Sequence, residues 1–267
     1  MEARAAPAPR RSGAGRFFRV LGALAALAVV ALGARAVVGG ATLTDDHAHA
    51  SYPLGGNRLV IDGNGSTSSV RVTAGAPGRV EVDRVVFHDI QRPPVTQRME
   101  GDHLQLGLRC PNFMVVRCES RYELKVPPSV SLKIDVPDGE IRISGINGAM
   151  DLRSDSGAIT LQGGSGTAKL ASNDGAIRAS GLAATTVDAS SDSGRIALDL
   201  TQVPQQVAAS SRDGSIRVQV PAGPSDYDVR ASSRDGRVTV AVPTADDSPR
   251  RISATSDSGG VVVRRAG

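Results

Sequence analysis

A glycine-centred segment returns seven times between residues 136 and 267, in the forms VPDGEIRIS, RSDSGAITL, ASNDGAIRA, SSDSGRIAL, SSRDGSIRVQV, SSRDGRVTVAV and TSDSGGVVV. Its glycines are Gly139, Gly157, Gly175, Gly194, Gly214, Gly236 and Gly259, 18 to 23 residues apart. Self-similarity at that period marks a stacked repeat architecture, in which no single unit can bury its own apolar face.

Counting from each glycine fixes the local structure. Positions two and four after it are Ile, Val, Leu or Ala throughout, and positions seven and five before it are likewise apolar, as in Leu132, Ile134, Ile141 and Ile143 of the first unit. Alternation with period two on both sides of the glycine reads as two strands, each burying one face. Three residues before the glycine, six of the seven units carry serine: Ser154, Ser172, Ser191, Ser211, Ser233 and Ser256. The corner between the strands reads Asp-Ser-Gly, Asn-Asp-Gly or Arg-Asp-Gly, which is turn chemistry, with the glycine expected to supply a positive φ. Val-Pro pairs at 136–137, 203–204, 220–221 and 242–243 are expected to close the opposite corner, because proline cannot donate to a ladder.

Two architectures fit. A two-residue turn at the corner would give an antiparallel meander, whereas a bend in a continuing coil would stack successive units in parallel as a β-solenoid. Columns that repeat one residue type favour the solenoid, since stacking like on like gives the serine hydroxyls a partner on the next coil. Seven coils at about 4.8 Å each would stand roughly 30 Å tall. The fold class expected is therefore all-β, a solenoid with two strands per coil behind one N-terminal transmembrane helix.

Composition supports a β protein with a thin aliphatic core: there is no Trp, aromatics are 3% of the chain, and 30 glycines and 15 prolines promise turns. The net charge of +4 is a property of the N-terminus. Six of the 31 basic residues and one of the 27 acidic ones fall within 1–38, leaving 25 against 26 in the rest. With no basic patch or aromatic platform beyond the tail, a nucleic-acid partner is not expected.

The apolar run VLGALAALAVVALGA, extended to Val38, reads as a short membrane anchor with its arginines on the cytoplasmic side. A cleaved signal peptide is the rival reading, because Ala34-Arg35-Ala36 suits a small-x-small cleavage site. Either one exports the remainder of the chain. Residues 1–19 are then a cytoplasmic basic tail, 20–38 the anchor, 39–50 a linker, 51–135 a β-rich cap with the first coils, and 136–267 the seven-unit solenoid. Cys110 and Cys118, eight apart, are expected to form a disulfide across the base of a loop, which persists outside the cytoplasm. They cannot make a metal site without further ligands.

The repeats, together with YELKVPPSVSLKIDVPDGEIRISG and LVIDGNGSTSSVRVTAG, resemble the DUF4097 family of adhesin-like bacterial envelope proteins, and the resemblance covers residues 52–267. It implies a β-helical surface scaffold, often behind an N-terminal anchor, and it supplies no catalytic residue.

The chemistry legible in the chain is sparse. One aspartate stands at every corner (Asp138, Asp155, Asp174, Asp192, Asp213, Asp235 and Asp257), a ladder that could bind Ca²⁺ or supply acid/base pairs for cutting polysaccharide. Calcium needs six to eight oxygens, each corner offers one carboxylate, and Arg212 and Arg234 stand ready as counter-charges, so turn-forming and pairing roles are expected instead. Asp45-Asp46-His47-Ala48-His49 could hold a divalent ion but reads as a solvated linker. No nucleotide or nucleophile-elbow motif is present.

The expectation is a non-enzymatic, membrane-anchored, extracytoplasmic protein that needs no cofactor. Its partner would be a cell-wall polymer or an envelope protein, met through exposed strand residues Arg142, Thr160, Arg178, Arg217, Gln219, Arg237 and Thr239. A carbohydrate-active β-helix enzyme and an envelope-stress sensor are the alternatives.

Overall fold

The computed structural model describes residues 44–65, 69–88, 92–110 and 118–267. The expected tail, the apolar segment 20–38 and the start of the linker lie outside these residues. Among the described residues no helix is long and apolar enough to cross a membrane.

Strands β1 (Thr44–Pro53), β2 (Arg58–Gly65), β3 (Ser69–Ala74), β4 (Arg79–His88), β5 (Val95–Glu100), β6 (His103–Leu108) and β7 (Cys118–Val126) precede the repeats. Each repeat then contributes two strands on either side of its glycine: β8 (Ser131–Val136) and β9 (Glu140–Ser144), β10 (Met150–Ser154) and β11 (Ile159–Gln162), β12 (Ala168–Ser172) and β13 (Ile177–Leu182), β14 (Thr186–Ser191) and β15 (Ile196–Leu200), β16 (Gln206–Ser211) and β17 (Ile216–Val220), β18 (Asp228–Ser233) and β19 (Val238–Ala241), β20 (Arg251–Ser256) and β21 (Val261–Arg265). The strands before the glycines join one sheet of 10 strands and those after them a second of 11, with the repeats paired in parallel throughout. This is the parallel solenoid rather than the meander.

Register is strict. Met150 lies opposite Leu132 and Ala168, and Ile159 opposite Ile141 and Ile177, so the inward columns stack aliphatic on aliphatic, apart from the buried serine column beside the glycines. Those side chains form one continuous core between the sheets. Aliphatic packing is the main stabilising term, at about 25 cal/mol per Å² of apolar surface buried.

The stacking order departs from sequence order at both ends. The last unit, β20 and β21, lies between the fifth (β16, β17) and the sixth (β18, β19), with Ile252 flanked by Val207 and Val229 and Val261 flanked by Ile216 and Val238. Similarly, β2 and β3 lie between the first repeat and the β6/β7 coil. The chain therefore passes over one layer after β17 and returns to it after β19, which is why the last two glycine spacings lengthen to 22 and 23 residues. The two crossing connections are pinned together where Tyr227 bridges Thr244: the Tyr227 amide donates to Pro243 O (3.1 Å), and the Ala245 amide to Tyr227 O (3.0 Å).

Tyr227 is buried there and its hydroxyl has no hydrogen-bond partner among the described residues. Burial pushes the phenols of Tyr227 and Tyr122 above their ordinary value, while Arg250 and Arg84 respectively pull them back. A raised acid pKa contributes stability that is complete below pH about 10, the unfolded value, and is lost as pH rises through the folded value. Tyr227→Phe removes an orphaned polar group, so its stability at neutral pH, read from urea unfolding, is expected to stay level or rise by up to about 1 kcal/mol, with a shallower alkaline loss. A clear destabilisation would show that the hydroxyl is bonded.

The two ends of the stack differ. On the N-terminal side, β4 pairs antiparallel with β7 and β1 with β4, while β5 pairs antiparallel with β6. Residues 44–50, expected as linker, are thus part of edge strand β1. Its outward Asp45, His47 and His49 alternate with Asp46, Ala48 and Ala50, the charged pattern that keeps an edge from pairing further. At the other end, β18 and β19 are outermost in their sheets, and Val238 and Val240 are 39% and 41% exposed in columns buried elsewhere. Cys110 and Cys118 form a disulfide, as expected, with a Cα separation of 5.9 Å.

Candidate binding surface

The corners hold the stack together and display its charge. Each serine of the column accepts a hydrogen bond from the amide of its own corner glycine and donates to the carbonyl of the glycine one coil below. Ser172 Oγ is 2.9 Å from Gly175 N and 3.1 Å from Gly157 O, and Ser191 Oγ is 2.9 Å from Gly194 N and 3.2 Å from Gly175 O. The ladder follows spatial order, because Ser256 donates to Gly214 O (3.0 Å) and Ser233 to Gly259 O (2.9 Å). In the first unit Val136 occupies the serine position, so the Val136-Pro137 pair belongs to the glycine corner and not to the opposite one.

The repeat glycines are required for a different reason from the one expected. None of them has a positive φ; the left-handed glycines, such as Gly145, Gly163 and Gly181, lie elsewhere. A Cβ on Gly157, Gly175, Gly194, Gly214, Gly236 or Gly259 would instead run into the carbonyl of the stacked glycine beneath it. Close approach of one backbone to the next, needed for the serine bridge, is what excludes a side chain.

The expected carboxylate ladder resolves into two columns. The position just before each glycine reads, in stacking order, Asp138, Ser156, Asp174, Ser193, Asp213, Ser258 and Asp235, with the serine hydroxyls donating to the neighbouring aspartates at 3.3 Å. One position earlier the order is Pro137, Asp155, Asn173, Asp192, Arg212, Asp257 and Arg234. Asn173 donates to Asp155 (3.2 Å), Arg212 pairs with Asp192 (3.1 Å) and Arg234 with Asp257 (3.6 Å). Sequence order would set Arg212 beside Arg234 and Asp213 beside Asp235, and insertion of the last coil separates both like-charged pairs. Within a column no two carboxylates occupy adjacent coils, so neither column makes a carboxylate cage, and among the described residues no group of three or more His, Cys, Asp or Glu side chains is placed to hold a metal ion.

The Asp45–His49 segment is likewise divided. His49 pairs with Asp83 (2.7 Å) on one face of β1, while Asp46 takes His88 (3.1 Å) and Arg92 (2.8 Å) on the other.

The outer faces of the two sheets differ in charge. On the 10-stranded sheet the central outward column reads Lys133, Asp151, Lys169, Asp188, neutralising itself coil by coil, and Asp135 lies opposite Arg153 beside it. The corresponding column of the 11-stranded sheet reads Arg71, Arg142, Thr160, Arg178, Ala197, Arg217. Over the same strands this face adds Arg195 and carries two acids, Glu140, which holds Arg142 at 2.6 Å, and Asp199, which accepts from Gln219 at 3.3 Å. Arg71, Arg178 and Arg217 make no ion pair among the described residues.

Of the exposed residues expected to meet a partner, Arg142, Thr160, Arg178 and Arg217 share this column, Gln219 lies beside it, Thr239 lies on outermost β19 and Arg237 immediately precedes that strand. Sequence reasoning missed Arg71. It belongs to an irregular strand before the repeats, and its place follows only from the pairing of β3 with β9.

The Toastrack DUF4097 family matches residues 130–265. No curated protein matches. Among solved structures, a putative adhesin from Bacteroides fragilis aligns with 83% of this chain and 97% of its own at 15% identity and a TM-score of 0.45. A putative lipid binding protein from Parabacteroides distasonis aligns over 83% and 97% at 11% identity and 0.43, and a putative cell adhesion protein from Clostridium sporogenes over 84% and 100% at 7% and 0.32. With its seven glycine-cornered coils inside the matched region, the chain belongs to the Toastrack DUF4097 family.

Proposed function

We propose that this chain is a non-enzymatic, adhesin-like envelope protein, held to the cell membrane through residues 20–38, whose exported solenoid binds an anionic cell-wall polymer on the outer face of the 11-stranded sheet. The observation that carries the reading is the charge asymmetry between the two faces. A rigid sheet that presents guanidinium groups in a straight line, with Thr160 and Ala197 spacing Arg142, Arg178 and Arg217, offers a linear polyanion several contacts at once, and avidity multiplies with each. The opposite face, with alternating signs one coil apart, has no such field.

The test uses the full-length chain in non-ionic detergent, titrated with a purified anionic wall polymer and with a neutral glucan. Binding to the anionic polymer alone is expected, weakening as salt screens the contacts. Arg178→Glu combined with Arg217→Glu should lower affinity at least tenfold, and Lys133→Glu combined with Lys169→Glu less than twofold. Equal losses from the two faces, no binding to the polymer, or capture of an envelope protein through another surface would each overturn this assignment.

A further inference from the structure

The arginine column contains one arrangement that its neighbours do not explain. Arg71 on β3 lies directly opposite Arg142 on β9, both exposed and on the same face, and like charges directly across a ladder destabilise it. Glu123 flanks Arg71 on the other side, from β7, without forming an ion pair with it. Around the two guanidinium groups is a groove of about 300 Å³ whose other polar side chains are Thr73, Ser144, Thr160 and Gln162. Three adjacent strands thus bring two cations and four neutral hydrogen-bonding groups to one depression whose lining holds no carboxylate, the two acids beside it being Glu140, already committed to Arg142, and Glu123, which flanks Arg71 without pairing with it.

We propose that this groove is an anion site that seats a phosphate group of a linear phosphate-bearing polymer, with the polymer running along the stacking axis toward Arg178 and Arg217. The inference rests on the reading of the face given above and names its ligand class. Arginine forks bind phosphate and carboxylate alike, but donors converging from three strands suit the tetrahedral oxygens of phosphate better than the single plane of a carboxylate. The rest of the column sets the direction. Arg142, Arg178 and Arg217 recur on alternate coils, roughly 10 Å apart, so the line from Arg71 to Arg217 spans about 24 Å. A chain of that length engages all four arginines, and a shorter one does not.

The test is calorimetric titration of the full-length chain in non-ionic detergent with inorganic phosphate, with linear polyphosphates shorter and longer than that span, and with polygalacturonate as a carboxylate polymer. Affinity should rise steeply with polyphosphate length and level off once the span is covered, with polygalacturonate at least tenfold weaker. Inorganic phosphate should raise the melting temperature of the wild type but not of Arg71→Gln. Arg71→Gln and Arg142→Gln should each weaken long-chain binding about tenfold, and Arg71→Lys should recover only part of the loss because it lacks the planar fork. Both arginines are exposed, so the variants should fold, which their melting curves check.

Wild-type binding by Arg71→Gln and Arg142→Gln, with loss confined to Arg178 and Arg217 variants, would remove the groove site and leave the surface reading intact. Equal affinity for polygalacturonate would overturn the phosphate assignment, and length-independent affinity the axial path. Failure of every polyanion to bind would sink this inference together with the reading beneath it.

Discussion

Gly175→Ala is expected to destabilise the protein by roughly 3–5 kcal/mol, read as a fall in urea midpoint, which is large for the addition of one methyl group. The new Cβ would meet the Gly157 carbonyl and lie 2.7 Å from Ser172 Oγ. Neither can retreat, because both belong to the ladder that joins the coils. Two comparisons isolate the cause. Gly163, at φ 70° with open space around its Cβ position, should lose only about 1–2 kcal/mol as alanine, the cost of a left-handed conformation. Ser191→Ala leaves the Gly194 amide and the Gly175 carbonyl short of a bond and should cost about 1–3 kcal/mol. If Gly175→Ala and Gly163→Ala prove equal, backbone contact is not what selects glycine at the corner.

Ending the chain after Arg250 should lower the melting temperature by on the order of 10 °C or more and strip hydrogen-exchange protection from residues 228–241 as well. In a simple solenoid, removing the last coil merely shortens the stack. Here the missing strands β20 and β21 carry the only ladders that hold β18 and β19 among the described residues. Were β18 and β19 to close the gap by docking on β16 and β17, Arg234 would fall beside Arg212 and Asp235 beside Asp213. Several kcal/mol of packing and pairing are therefore lost at once, and each kcal/mol is worth about 2–4 °C in a chain of this size. Retention of protection at 228–241 would mean that the sixth coil restacks despite its charges.

Much of this fold was legible because each coil spells the same columns. Ile141, Ile159, Ile177 and Ile196 could be placed one above another from spacing alone, and so could the serines that bridge the glycines. The stacking order was not, because repeats that share one register fit next to any of their kind. The signals that fix it are secondary ones: the spacing that lengthens to 22 and 23 residues, and corner signs that alternate only when Asp257 stands between Arg212 and Arg234. The role of glycine at the corner was misread because a tight turn and a close backbone contact exclude a side chain equally well. Strand β1 looked like a linker because charged residues on a sheet edge resemble charged residues in solvent. The proposed binding face was half visible: Arg142, Arg178 and Arg217 follow from the repeat, whereas Arg71 joins them through β3, a strand outside the repeat.

The placement of the last strands also governs when the protein can finish folding. A ribosome releases the sixth unit before the seventh, yet the seat of the sixth does not exist until the seventh has been laid down. The growing chain keeps residues 228–241 from their final seat until Val261–Arg265 follow, so completion of these layers is a closing event set by the seventh unit and not a layer-by-layer accretion.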